Sequence, residues 1–342
     1  MSTVPTYMVT VAPGLEDVAI SELTTKLPGA WIQAQLRGRV LFVANSPWED
    51  LQQLRCVDNI YVHIGWLKVG PHKADLEHLT KDIENMHFPD IPYLLPKTKA
   101  RAIVNASRSG HHTFNRFDAG WAVLEGLTAA HGFVPGTTEA YDCEFRLDIV
   151  DHDALISLKL TSAAFRFRGQ RTFSRAALRP PIAHALVWLS EPRSSDVFLD
   201  PFCGSGTIPI ERATYEAVSI TGGDISPTAI EAARENAPAE VTLRCLDACD
   251  LWDTPSASVN AIVTNLPWGK QIAAPQEIET LYRQFLLETK RVLAPTGRAI
   301  MLTDREEAID HACNLAQLIC RPLLKISLHG SLPTVYLVCH PV

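Results

Sequence analysis

The chain has no Cys-x-x-Cys pair, no long apolar run and no excess of positive charge. Its eight cysteines (56, 143, 203, 245, 249, 313, 320 and 339) are scattered, which excludes a zinc ribbon or a thioredoxin-type redox pair and leaves reduced, packed thiols as the expectation. Cys245 and Cys249, separated by three residues, have neither a second pair nor a nearby histidine, so no metal is expected. No apolar stretch approaches the ~18 uninterrupted residues that suggest a membrane helix. The opening "MSTVPTYMVTVAPGLEDV" carries no basic segment followed by an apolar one, so no secretion signal is expected and a cytoplasmic protein is. The net charge of −7 argues against a polyanionic partner if it is evenly spread. It is not. Residues 1–180 hold 19 Lys/Arg and 19 Asp/Glu, leaving 12 and 19 for the remainder. Two tracts without a single acid stand out: Ile91 to Phe117, with Lys97, Lys99, Arg101, Arg108, Arg116 and the pair His111–His112, and Ala154 to Ser190, with Lys159, Arg166, Arg168, Arg171, Arg175 and Arg179. A phosphate backbone responds to such local clusters rather than to whole-chain charge. A charge run is equally an ordinary solvated face, and the histidines read as surface or core residues.

At 342 residues the chain is too long for one ordinary core, and two or three domains are expected. No internal repeat or low-complexity segment is present. Residues 1–50 read as strand, helix, strand ("YMVTVA", "GLEDVAISELTTKL", "RVLFVAN"), with Pro-Gly pairs on both sides of the helix. Through 51–165, helical stretches (48–57, 74–85, 117–131) alternate with apolar strands ("YVHIGWLKV", "ARAIVNAS", "EFRLDIVD", "ALISLKLT"), an α+β pattern. An arginine-rich linker, 166–181, follows. From 182 the rhythm becomes regular: "DVFLD" and helix 207–217, "VSITGGD" and helix 226–237, "VTLRCLD", "VNAIVTN", helix 277–293, then "RAIMLT". Alternating units of this kind indicate an α/β domain with a doubly wound parallel sheet. The tail ("LLKISLHG", "TVYLVCH") reads as an antiparallel pair closing its edge.

In an open α/β sheet, ligands sit beyond the carboxyl ends of the strands. After the first strand comes "DPFCGSGTIPIE", in which Asp200 ends the strand, Gly204 and Gly206 let backbone approach a ligand, and Thr207 is positioned to cap the next helix. The third glycine of a dinucleotide fingerprint is replaced by Pro209, and there is no P-loop lysine. The turn therefore suits a small ligand without a pyrophosphate. The second strand ends at Asp224, suited to ribose hydroxyls. The third ends in "LDACDL", with Asp247 able to accept from an adenine amine. The fourth ends at Asn265 in "TNLPWGKQI". Singly, each acid is an ordinary turn residue or helix cap. Together, four polar residues at four successive tips point to one ligand.

The series "DPFCGSGT", "GGD", "LDA", "NLPWG" resembles the class I S-adenosylmethionine-dependent methyltransferases, in the amino-methylating branch with an N-(L/P)-P-(Y/W) motif. "APGLEDVAISEL", the α+β region and "FRFRGQRTFSRAALRPPIAHAL" resemble the THUMP-domain RNA methyltransferases. Within these the chain is most similar to the tRNA guanine-N2 methyltransferases of the TrmN type, with Trp268 where tyrosine is commoner. The resemblance implies a C-terminal Rossmann-like domain (182–342) with an antiparallel last strand, preceded by a ferredoxin-like α+β domain (1–50) and a THUMP domain (51–165). It implies S-adenosylmethionine as cofactor, held by Asp200, Phe202, Cys203, Gly204, Gly206, Thr207, Asp224, Ile225, Asp247, Ala248 and Asn265. It implies methyl transfer to a guanine N2 of structured RNA, at guanosine 6 of the tRNA acceptor stem. In that reading the Asn265 side-chain oxygen and the Leu266 carbonyl hold the amine, Pro267 fixes the turn, and Trp268 offers a stacking face. Lys97, Lys99, Arg101, Arg108, Arg116, Arg168, Arg171 and Arg175 would contact phosphates, and a monomer is expected. The same turn also suits an rRNA guanine, a DNA adenine or cytosine, or a protein glutamine amide. A non-catalytic RNA-binding protein is a further reading, disfavoured by the intact acids and glycines.

Overall fold

The computed structural model describes residues 4–88, 99–168, 177–268, 275–328 and 330–341. The chain divides into two compact units. The first comprises Met1–Thr10, Leu23–Leu54 and Asn59–Ser162. Its strands are β1 (Thr6–Thr10), β2 (Trp31–Leu36), β3 (Arg39–Val43), β4 (Asn59–Lys68), β5 (Arg101–Ser109), β6 (Val134–Pro135), β7 (Cys143–Val150) and β8 (Asp153–Lys159). They form one sheet in the order β2-β3-β1-β4-β8-β7-β5-β6, so strands expected in residues 1–50 and in 51–165 are joined through the antiparallel β1–β4 pairing. Helix α1 (Glu16–Lys26) starts among residues of the second unit and ends in the first. Helices α2 (Trp48–Leu51), α3 (Leu76–Glu84) and α4 (Arg116–Ala130) complete the first unit. The start of α4 is set by Asn115, whose side chain accepts from the Phe117 and Asp118 amides, while the Asp118 carboxylate accepts from the Asn115 amide. This reciprocal cap satisfies donors that have no helical partner.

The second unit comprises Val11–Glu22, Arg55–Asp58 and Ala163–Val342. After α5 (Pro180–Leu189) come β9 (Val197–Asp200), α6 (Thr207–Arg212), β10 (Ser219–Asp224), α7 (Pro227–Asn236), β11 (Val241–Cys245), β12 (Val259–Asn265), α8 (Pro275–Val292), β13 (Leu293–Thr303), α9 (Glu306–Ala316), β14 (Ile319–Lys325) and β15 (Thr334–Cys339). The sheet order is β11-β10-β9-β12-β13-β15-β14. Strands β9 to β13 run parallel, and β15 and β14 return antiparallel, as the tail pattern predicts. From β9 the order runs outward through β10 and β11 and then reverses to β12. The crevice at that reversal is where such sheets bind ligands, and its two lips are Asp200 and Asn265. The core beneath includes Leu199, Ile262, Leu266, Tyr282, Phe285 and Met301, all buried.

Helix α6 is shorter than the expected 207–217. Arg212, fully buried, explains the early stop, because its guanidinium donates to the Tyr215 and Glu216 carbonyls at 3.0 and 3.1 Å. Thr207 is not the cap: Gly206 holds that position, at φ 84°, and Thr207 is the first helical residue with its side chain buried. No described helix is long and apolar enough to cross a membrane.

Candidate active site at the strand tips of the second unit

The turn after β9 is held by backbone that leaves a ligand-facing side open. Gly204 and Gly206 adopt φ 52° and 84°, and a Cβ on Gly204 would meet nothing within 4 Å. The left-handed conformation favours glycine, and the open space permits a ligand against the main chain. Asp224 at the tip of β10 couples the first two turns, since its carboxylate accepts from the Gly204 amide (3.0 Å) and the Ser226 amide (2.9 Å). Ile225 beside it is 68% exposed, an apolar surface without a protein partner of its own size. Asp247 accepts from the Cys249 amide at 2.8 Å and stays exposed, with Ala248 buried behind it. Phe202 packs its ring on Phe285 at 5.0 Å, and the Cys203 thiol is buried. Burial, with the Asp200 and Asp224 charges adding, pushes the Cys203 thiol far up, so it is an inert packing group.

Asp200 is strongly perturbed by its surroundings. It is fully buried, and Oδ1 accepts from the Phe202 amide (3.2 Å). Burial, reinforced by the Asp224 charge and tempered by the nearby Thr264 hydroxyl and Phe202 amide, pushes its carboxyl up to about 7. The buried Ser205 hydroxyl has no partner, and the Thr264 hydroxyl has none besides the Asp200 carboxylate. Unsatisfied buried polar atoms are costly and rare, and the Asp200 carboxylate and the unpartnered Ser205 hydroxyl lie on either side of Gly204 in the open glycine turn, a polar setting that fits a cation-bearing ligand such as S-adenosylmethionine.

The loop after β12 is anchored in the opposite lip. The Leu266 amide donates to the Leu302 carbonyl at 3.1 Å, and the Leu266 side chain is buried. Trp268 Nε1 donates to Asn265 Oδ1 at 2.7 Å. An indole N–H only donates, so this bond fixes which end of the carboxamide is oxygen and occupies one of its lone pairs. Sequence reasoning gave Trp268 a stacking face and missed this role for its edge. The only signal available was an aromatic donor three residues after the carboxamide. Gly269 and the residues to 274 lie outside the described residues.

The expected phosphate-contacting residues divide. Lys97, Arg171 and Arg175 lie outside the described residues. Lys99, Arg108 and Arg116 are exposed in the first unit, as is Arg101, which pairs with the Asp142 carboxylate through two nitrogens (3.1 and 3.0 Å). Arg116 lies over the Phe117 ring at 4.7 Å, and Phe117 and Trp121, one helical turn apart, are 72% and 57% exposed. Arg168 belongs elsewhere. Its side chain is 9% exposed, donates to the Phe165 and Arg55 carbonyls (2.8 and 2.6 Å), and lies 3.9 Å from Glu211. Its guanidinium serves the interior of the second unit, which removes it from the RNA-contacting set.

Comparison with known proteins agrees with this geometry. Residues 168–333 match the family described as RMKL-like, methyltransferase domain. The mouse protein named tRNA (guanine(6)-N(2))-methyltransferase THUMP3 is 32% identical over 189 residues, covering 50% of this chain and 37% of that protein, so the match spans little more than a third of the relative's length. The Thermus thermophilus protein named tRNA (guanine(6)-N2)-methyltransferase is 28% identical over 310 residues, covering 89% of this chain and 90% of its own. The crystal structure of TrmN from Thermus thermophilus superposes with a TM-score of 0.81 at 27% identity, covering 98% of this chain and 99% of the other. By motif, fold and full-length likeness, the chain belongs to the S-adenosylmethionine-dependent methyltransferases that carry this RMKL-like domain.

Proposed function

We propose that the protein methylates the N2 amino group of guanosine 6 in the tRNA acceptor stem. The observation that carries the reading is the pair of lips at the sheet reversal: the fully buried carboxylate of Asp200 on one, and Asn265 with an oriented carboxamide on the other. The near-full-length similarity to the Thermus thermophilus relative, which bears that activity in its name, supplies the substrate.

S-adenosylmethionine supplies a methyl group on a sulfonium, whose C–S bond breaks with its electron pair kept by sulfur. The chain's own residues do the rest. A guanine amino nitrogen is a poor nucleophile because its lone pair is delocalised into the ring. The second lone pair of Asn265 Oδ1 and the Leu266 carbonyl accept its two hydrogens, which holds the nitrogen and favours a lone pair directed at the methyl. Nitrogen and carbon need to stand roughly 3–3.5 Å apart and in line. The nitrogen that these acceptors hold would become strongly acidic once methylated and would lose its proton to water. No protein base is needed, and Asn265 offers none. A stem guanine must first leave its stack, at a cost of a few kcal/mol. Phosphate contacts from Lys99, Arg108 and Arg116 and the exposed rings of Phe117 and Trp121 are suited to offset that cost.

Incubating the purified protein with S-adenosylmethionine and tRNA transcripts, then mapping modified nucleosides by mass spectrometry, tests the reading. N2-methylguanosine at position 6, lost when that guanosine is replaced by adenosine, is expected. Modification of rRNA, DNA or a glutamine peptide with tRNA untouched would overturn it.

A further inference from the structure

The carbonyl just beyond the acceptor pair has an uncommon partner. Tyr282, on α8 and fully buried, donates its hydroxyl to the Pro267 carbonyl at 2.9 Å, and its oxygen lies 2.7 Å from Thr303 Oγ1 at the end of β13. A carbonyl can only accept, so the single phenolic proton is used there. The bond to Thr303 therefore runs from the threonine hydroxyl to the phenol oxygen. Thr303 Oγ1 in turn accepts from the Arg305 amide at 2.9 Å. The result is one directional chain: Arg305 N–H to Thr303 O–H to Tyr282 O–H to Pro267 C=O. Chains of this kind polarise and strengthen each link.

We infer that Tyr282 is a positioning residue for methyl transfer, which holds the Pro267 carbonyl and so aims the Leu266 carbonyl and the Asn265 carboxamide at the acceptor amine. The inference rests on the acceptor role given above to Asn265 and Leu266. Packing alone does not explain the hydroxyl. The side chain belongs to the buried cluster that includes Leu266, Ile278, Phe285 and Leu286, where a phenylalanine would fill the same volume. A buried hydroxyl is costly unless bonded, so its presence points to the bond it makes. The loop is then fixed at three places: the Leu266 amide on β13, Trp268 Nε1 on Asn265, and the Pro267 carbonyl on Tyr282. With Pro267 supplying a fixed φ, little freedom remains between the two acceptors. Burial pushes the Tyr282 phenol well above its ordinary range, so the donor persists at any working pH.

Tyr282→Phe removes the donor and keeps the ring. Single-turnover transfer to tRNA is expected to fall on the order of 10-fold, a fraction of the roughly 100-fold that a misplacement of about 1 Å can cost, while KM for tRNA and the affinity for S-adenosylhomocysteine stay within about twofold. Thr303→Val is expected to act in the same direction, Thr303→Ser to retain the rate, and the double variant Tyr282→Phe/Thr303→Val to be no slower than Tyr282→Phe alone. A merely structural tyrosine would lower Tm and leave the rate per folded molecule unchanged. A second readout needs no activity. The Trp268 indole N–H resonance, identified by its loss in Trp268→Phe, is expected to move in Tyr282→Phe. An unmoved resonance or an unchanged single-turnover rate overturns the inference. If the wild-type protein leaves tRNA unmodified, the substrate reading fails on that result alone, and the indole resonance still decides the role of Tyr282.

Discussion

Asp200 is fully buried, with the Thr264 hydroxyl and the Phe202 amide beside its carboxylate, and burial pushes it up to about 7. A carboxyl with that value is half protonated near neutrality when no ligand is bound. A cationic ligand beside it favours the ionised form and draws its pKa down. Ligand binding is then linked to proton release, so cofactor affinity is expected to strengthen as pH rises toward 7 and to level off above it. Calorimetry between pH 5.5 and 8 checks the slope, and Asp200→Asn should weaken binding and flatten it. Other residue-scale features were partly legible. The four tips stood in the sequence because strand ends are marked by "D", "GGD", "LDA" and "TN" after apolar runs. The indole edge on Asn265, the phenol on Pro267 and the inward turn of Arg168 were not, because each depends on where one distant side chain meets another. Thr207 was misjudged as a cap for a related reason: threonine is a sound capping residue, but the positive φ required at that point went to Gly206.

At the scale of elements, β9 matters most because it ends in Asp200. Its amino end is clamped by Asp196, 1% exposed, which accepts two bonds from Arg298 of β13 (2.8 and 2.8 Å) and one from buried Arg212 of α6 (3.2 Å). Burial alone would raise the Asp196 carboxyl, but the Arg298 hydrogen bonds, the Arg193 amide and the Arg298 and Arg212 guanidiniums outweigh it and hold it below its ordinary value. Removing one partner strands the others, so Asp196→Ala is expected to destabilise the protein by about 3–5 kcal/mol in denaturant unfolding. The sign with pH follows from the depressed value. The contribution is present above the unfolded carboxyl pKa of ~4 and is lost as pH falls through the lower folded value. A variant Asp196→Asn should lose that part of the acid sensitivity. Which elements the sequence revealed follows the same logic of pattern. β9 to β12 read clearly as apolar runs ending in polar turns. β2, half exposed along its length at the sheet edge, gave no such run. α5 is buried on nearly every side, so it shows no amphipathic stripe. α9 buries Ile309, Ala312, Cys313 and Ala316 at helical spacing, but small side chains make that stripe faint.

At the scale of the whole molecule, the division of charge gives the clearest expectation. The acidic excess lies in residues 181–342, while the exposed cations Lys99, Arg108 and Arg116 lie in the first unit. If these contact phosphates, tRNA affinity falls with added salt, and Arg108→Ala or Arg116→Ala each lowers the slope of log affinity against log salt by about 1. Filter binding across a salt series checks this. Arg101→Ala should change the slope less, because Asp142 already pairs with that guanidinium. All three variants should leave the single-turnover rate at saturating tRNA near wild type. The overall architecture was legible because the alternation of strand and helix survives in any one-dimensional pattern. The pairing of β1 with β4, which joins the expected first and second domains in one sheet, is a long-range register that local pattern does not carry.

The most direct test separates holding the cofactor from presenting the amine. Asn265→Ala should bind S-adenosylmethionine within about threefold of wild type by calorimetry, yet transfer methyl to tRNA at least 100-fold more slowly in a single turnover, in line with the loss of one oriented acceptor at a reacting centre. A wild-type transfer rate in that variant, or a loss of cofactor binding as large as the loss of rate, would contradict the assignment of the second lip to the amine.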